Sequence, residues 1–229
     1  MLRRLATFVA AVALVGGVAL VLVDRGLLPV AMRIPVSAVA PDSEAAFERW
    51  LAKEPERAPQ FRKLQGFLQA QGVGQIVPAW QLTRVDAYYA AECGIEPFAL
   101  PPEDLWPNVV PALRLVRDEV IPAVGPVEVR SSYRTPELNV RAGGAGGSRH
   151  LDFAAVDLGT QDRQRGEALY RTLCAMHESA GAGSRMGLGA YYDPDEPGYA
   201  GGRFHVDASG YRSWGRGYTR ASSPCRSFD

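Results

Sequence analysis

The sequence predicts an α+β fold: a small antiparallel sheet with flanking helices, preceded by a helical region and an N-terminal transmembrane helix. Three observations carry that expectation. An uncharged apolar run opens the chain, helical spacing of apolar residues follows a linker or strand-like lead-in over 26–41, and short strand-like runs cluster in the second half. The 229 residues are 47% hydrophobic and 22% charged, which is globular and not disordered. Lys plus Arg is 25 and Asp plus Glu is 25, so the net charge is zero, which argues against a nucleic-acid partner. Three cysteines are too few for a disulfide scaffold and lack the paired spacing of a zinc finger.

Residues 5–23 (LATFVAAVALVGGVALVLV) carry no charge, with Arg3 and Arg4 before them and Asp24 and Arg25 after. At 1.5 Å per residue such a helix just spans a hydrocarbon core about 30 Å thick. A cleaved secretory signal is the alternative, but its apolar region would be shorter, and no clean small-x-small site follows here. The two arginines put the N-terminus in the cytoplasm and the rest of the chain beyond the inner membrane, in the periplasm, where disulfides persist. Residues 1–25 thus read as anchor or signal, 26–107 as linker and helical region, and 108–229 as the domain with the chemistry.

Ser43 opens a helix with Phe47, Trp50 and Leu51 on one face, and a second follows with Phe61, Leu64, Phe67 and Leu68, ended by Gly72 and Gly74. Core packing is the expected role of these aromatics. Residues 76–102, with four prolines, read as irregular. Val109, Leu113, Val116 and Val120 mark a third helix with Pro111 in its first turn. Residues 127–131 (VEVRS) alternate as a strand, Thr135-Pro136 starts a helix, and 154–158 (AAVDL) is a short buried strand. Thr160 is expected to cap a helix over 161–179, and 186–192 and 203–207 are further strands.

The chemistry concentrates in residues 131–160 and 202–210. His150 and Asp157 are seven apart, an odd spacing that cannot share one strand face. They meet if His150 lies in the loop entering a strand and Asp157 on that strand, with His205 on a neighbouring strand closing the site. Two histidines and a carboxylate, with a fourth position left for water, suit a hydrolytic zinc.

The pattern Ser148-x-His150, Asp157, then His205-Val206-Asp207, with Ser132-Tyr133-Arg134, Asn139 and the Gly143-Gly144 pair upstream, resembles the zinc D-Ala-D-Ala carboxypeptidase/endopeptidase family. That group includes the VanX and VanY peptidases, murein endopeptidases and hedgehog-like domains, and the resemblance covers roughly residues 127–214. It implies the hedgehog/DD-peptidase fold and Zn2+ held by His150, Asp157 and His205. It implies that Arg134 stabilises the developing oxyanion or holds a substrate carboxylate, and that Ser148 contacts the substrate. The substrate it implies is a peptidoglycan stem peptide, cut by a D,D-carboxypeptidase or a murein endopeptidase.

The chain departs from the family at the base. Relatives place Glu three residues before the last His or a second His two before it; here those positions are Gly202 and Arg203. Asp207 is the replacement, either taking the water proton or orienting His205; the acidic turn Asp193, Asp195, Glu196 is a further candidate and otherwise a solvated turn. Phe153 stands where the family has Gly. Trp214 resembles its closing aromatic, and His177 is expected to be a satisfied structural histidine. Cys174 and Cys225 are expected to pair, leaving Cys93. The competing readings are a non-catalytic, zinc-stabilised domain that binds cell wall or a partner, and a structural membrane protein supported only by the anchor.

Overall fold

The computed structural model describes residues 40–193 and 201–228. The expected membrane helix over 5–23 and the acidic residues Asp195 and Glu196 lie outside these. Among the described residues, no helix is long and apolar enough to cross a membrane.

Two helices with buried apolar faces start the described residues. Ser43 caps α1 (Glu44–Ala52) by accepting the Ala46 N–H at 3.3 Å, and α2 (Arg57–Ala70) follows. Phe47, Trp50, Phe61 and Phe98 make one aromatic cluster. Residues 76–102, expected irregular, hold a 3₁₀ turn (Ala79–Thr83) and a helix, α3 (Ala87–Cys93). Seven residues are too few to show a period, but the caps are plain: Asp86 Oδ1 accepts the Tyr88 and Tyr89 N–H groups, and Gly94 ends the helix at φ +63°.

Helix α4 (Trp106–Leu115) continues through a π turn (Val116–Val120) into α5 (Ile121–Val124). Pro111 lies inside α4 and not in its first turn, which holds Pro107. Residue 108 falls within this helix, and one apolar core runs from Phe47 through Leu113 and Val116 to Val206.

Strands β1 (Val127–Ser131), β2 (Ala155–Thr160), β3 (Gly187–Ala190), β4 (Phe204–Asp207) and β5 (Arg212–Trp214) form one sheet in the order β1-β2-β4-β3-β5. Four strands pair antiparallel as expected, but β5 lies parallel to β3, so the sheet is mixed. Between β1 and β2 runs α6 (Pro136–Arg141), with Thr135 as its cap. Thr160 does not cap a helix: it ends β2, and its hydroxyl accepts the Gln164 N–H at 2.7 Å to close a turn. Helix α7 starts only at Gly166 and runs to Ala180. Period-two alternation sends Val156, Leu158, Leu188, Phe204 and Val206 into the core. The opposite face carries Asp157, His205 and Asp207.

Cys174 on α7 is disulfide-bonded to Cys225 near the C-terminus, with Cα atoms 5.1 Å apart, and Cys93 is free. His177 is buried, bonded to the Met186 carbonyl at 3.1 Å and stacked on Tyr211, as a structural histidine should be.

Candidate metal centre

The sheet register builds half of the site. Asp157 on β2 lies directly across from His205 on β4, so both side chains leave the same face. The other half comes from a turn. His150 precedes β2 in a turn closed by Arg149 O accepting the Ala154 N–H at 2.8 Å, and the His150 carbonyl accepts the Arg134 N–H at 3.0 Å. Phe153 in this turn is fully buried and has φ +53°, a backbone conformation that favours glycine.

Three buried ligand groups converge. His150 Nε2 is 3.2 Å from Asp157 Oδ2 and 3.1 Å from His205 Nδ1, and His205 Nδ1 is 3.1 Å from Asp157 Oδ1. The far nitrogen of each ring is committed elsewhere. His150 Nδ1–H donates to the Ser132 carbonyl at 2.5 Å, and His205 Nε2–H donates to Asp207 Oδ2 at 3.0 Å. Each bond takes up the far nitrogen, so one nitrogen of each ring faces a common point and is free to ligate in its neutral form. Tetrahedral zinc with nitrogen and oxygen ligands at about 2.0–2.1 Å sets those atoms about 3.3 Å apart. The donor set and its spacing fit.

Charge follows the same logic. Burial pushes Asp157 up, but the Arg203 charge and the hydrogen bonds from both histidines hold its carboxyl well below the ordinary value. Burial lowers His150. Burial pushes His205 down too, yet its bonds to Asp157 and Asp207 outweigh that and raise it. Asp207 is likewise lowered: burial opposes ionisation, while His205 and Arg212 favour it more strongly.

Residues 90–187 match the family described as Peptidase M15, which covers the approach loop, His150 and Asp157. This segment is similar to the Peptidase M15 family. No curated protein and no solved structure matches the chain. The match ends at Gly187, so His205 lies outside it and is brought beside Asp157 by the sheet register.

The site opens into a cleft of about 610 Å³ lined by Tyr89, Arg134, Ser148, Tyr191, Arg203 and Trp214, among others. Arg134 is buried, and its guanidinium donates to the Asn139 amide oxygen at 3.4 Å. Asn139 also ties the glycine-rich loop by donating to the Ala145 carbonyl at 3.0 Å. A Cβ at Gly144 would stand 2.1 Å from Asn139 Oδ1 and 3.0 Å from Arg134, so the loop can pass only as glycine. Ser148 lines the cleft although it precedes a turn and not an extended segment.

Asp207 lies behind His205, on the side of the ring away from the other ligands. Arg212 grips both its oxygens, at 3.0 and 2.7 Å, and the Ser209 N–H donates to Oδ1 at 2.8 Å. Of the two roles left open for Asp207, this geometry fits orientation of His205. Sequence reasoning missed Gly187 and Gly189, which face Asp207 and His205 across β3. A Cβ at Gly187 would lie 2.5 Å from Arg212, and one at Gly189 would lie 2.8 Å from His205 Cβ. Alternating glycines in GLGA were the available signal. It also missed Arg203 as a partner of Asp157 and of Asp86.

Proposed function

We propose that the protein is a zinc-dependent peptidase that hydrolyses peptide bonds in peptidoglycan stem peptides, as a D,D-carboxypeptidase or a murein endopeptidase. It acts in the periplasm, held to the inner membrane by residues 5–23. One observation carries the reading: two imidazole nitrogens and a carboxylate converge in a cleft, beside a buried guanidinium. Zinc bound there supplies a Lewis acid for the scissile carbonyl and a water of pKa near ~7.

The chain's own residues do the rest. Ser132 and Asp207 keep the ring protons off the metal side. The Arg134 guanidinium donates to a neutral amide oxygen, so its charge is available to a substrate carboxylate or a developing oxyanion. Ser148 faces the cleft as a hydroxyl donor and acceptor for the peptide. The Cys174–Cys225 disulfide accords with an oxidising compartment.

A second reading, a non-catalytic zinc domain that binds cell wall, is favoured by one specific observation. Among the described residues that line the cleft, Asp157 is the only carboxylate, so no separate acidic base faces the site there.

Digestion of defined muropeptides by the purified full chain decides between these. Pentapeptide shortened by its terminal D-Ala shows a carboxypeptidase, and cross-linked dimer split to monomers shows an endopeptidase. Both activities disappear in His150→Ala together with the bound zinc. Tight zinc with intact muropeptides, and retention on sacculi, supports the binding domain.

A further inference from the structure

Arg203 occupies the position, two residues before the last histidine, where relatives carry a second histidine. Its side chain emerges on the same face of the strand lead-in as His205. One terminal nitrogen pairs with Asp157 Oδ2 and the other with Asp86 Oδ2. Its Nε is buried without a hydrogen-bond partner, so all its pairing runs through these two contacts. Both carboxylates are nearly inaccessible, with side-chain exposures of 2% for Asp157 and 7% for Asp86. Asp86 is itself anchored, because its other oxygen caps α3. Arg203 also forms the wall between the cleft and a smaller pocket of about 280 Å³. Asp86 and Arg203 both lie outside the segment matched to M15.

A ligating carboxylate can bind a metal through one oxygen or through both. A hydrolytic site needs an open position for water or substrate. Oδ1 stands 3.1 Å from His205 Nδ1 and Oδ2 stands 3.2 Å from His150 Nε2, so both oxygens face the histidines, and the guanidinium on Oδ2 leaves Oδ1 as the oxygen not shared with an arginine.

We propose that Arg203 is a positioning residue: bridged to Asp86, it holds Asp157 Oδ2 so that only Oδ1 serves the metal and one coordination position stays open. This rests on the zinc peptidase reading. Without the clamp both oxygens swing onto the metal, the affinity for metal survives, and turnover suffers. Asp86→Asn breaks the clamp while keeping α3, because Asn caps as well as Asp.

The test uses the full chain loaded with Zn2+ for kinetics and with Co2+ for visible absorption. Wild type, Arg203→Met, Arg203→Lys and Asp86→Asn are compared. The expected result is about one metal per chain in all four, with weaker Co2+ bands in Arg203→Met and Asp86→Asn as coordination number rises. In Arg203→Met, kcat falls by ~10–100-fold with KM little changed, the range usual for partners that orient metal ligands. Lys, one cation that cannot fork to both carboxylates, falls in between. Unchanged bands and kcat in both Arg203→Met and Asp86→Asn would overturn the clamp, as would a raised KM with kcat intact, which marks a substrate contact. Wild type that takes up no metal overturns the zinc reading and the clamp with it. Wild type that binds Co2+ but digests nothing still tests the clamp through the bands.

Discussion

The two histidines of the metal centre stand with ring centroids 4.9 Å apart, and they are held by opposite means. His150 sits in a turn and is fixed by a main-chain carbonyl, that of Ser132. His205 sits on a strand and is fixed by a charged side chain, Asp207, which Arg212 and the Ser209 N–H hold in turn. A strand brings its i+2 residue to the same face, so an HxD sequence carries its own orienting group. A turn offers no such neighbour, and the fold must bring an acceptor from 18 residues away. Side-chain substitution can therefore break one ligand's support and leave the other's in place.

The asymmetry extends to covalent structure. His205 lies within the 51-residue loop closed by Cys174 and Cys225, and His150 lies outside it. Chain entropy for a loop of that length is worth about 4 kcal/mol. Cys225→Ser is expected to lower unfolding stability by roughly that amount in urea, and reductant is expected to shift wild type but not the variant.

Next in size is Asp207→Asn, which removes the charge behind His205. Zinc affinity is expected to fall ~10–100-fold in a chelator competition, with His150 still anchored to Ser132. An affinity equal to wild type would mean that the strand alone orients the ring.

Proton binding gives a third comparison. In the metal-free protein His150 is shifted down by burial, whereas His205 is shifted up, its carboxylate bonds outweighing burial. A raised histidine stabilises the metal-free fold fully below its unfolded value of about 6.5 and loses that contribution as pH rises through its folded value. Metal requires the neutral ring. The rise in melting temperature on adding zinc is therefore expected to be larger near pH ~8 than near pH ~6. Asp207→Asn, which removes one cause of the upward shift, is expected to narrow that gap.

The smallest difference, between two substitutions at one position, sharpens the view of the turn. Phe153 holds a left-handed backbone that costs an L-residue about 1–2 kcal/mol, while its ring is fully buried. Truncation to Ala should cost about 3–5 kcal/mol. Phe153→Gly should be milder than Phe153→Ala by about 1 kcal/mol in denaturant titration, despite the smaller side chain, because Gly relieves the backbone. The reverse order would show that the turn relaxes.

Much of the site was legible because its logic is local. The odd spacing of His150 and Asp157 excludes a shared strand face, and that placed one residue in a loop and the other on a strand. Thr135-Pro136 and Ser43 announced their helices through cap chemistry that acts within four residues. Helix α3 escaped because it is shorter than two turns, although Asp86 and Gly94 marked both ends. The parallel pairing of β5 escaped because its partner, β3, lies across an intervening strand in sequence.

By itself, the sequence marked His150, Asp157 and His205 as candidate ligands through a family resemblance, excluded a shared strand face for the first two, and named the cysteines available to pair. Only the tertiary structure decided what stands behind each ligand: the Ser132 carbonyl on His150, Arg212 on Asp207, and Arg203 with Asp86 on Asp157. These partners are 18, 5, 46 and 117 residues apart for the pairs His150–Ser132, Asp207–Arg212, Asp157–Arg203 and Asp86–Arg203. Periodicity speaks for neighbours on one element. Hydrogen bonds and charges act through space, so the groups that tune a buried metal site become identifiable only once the sheet and its loops have folded.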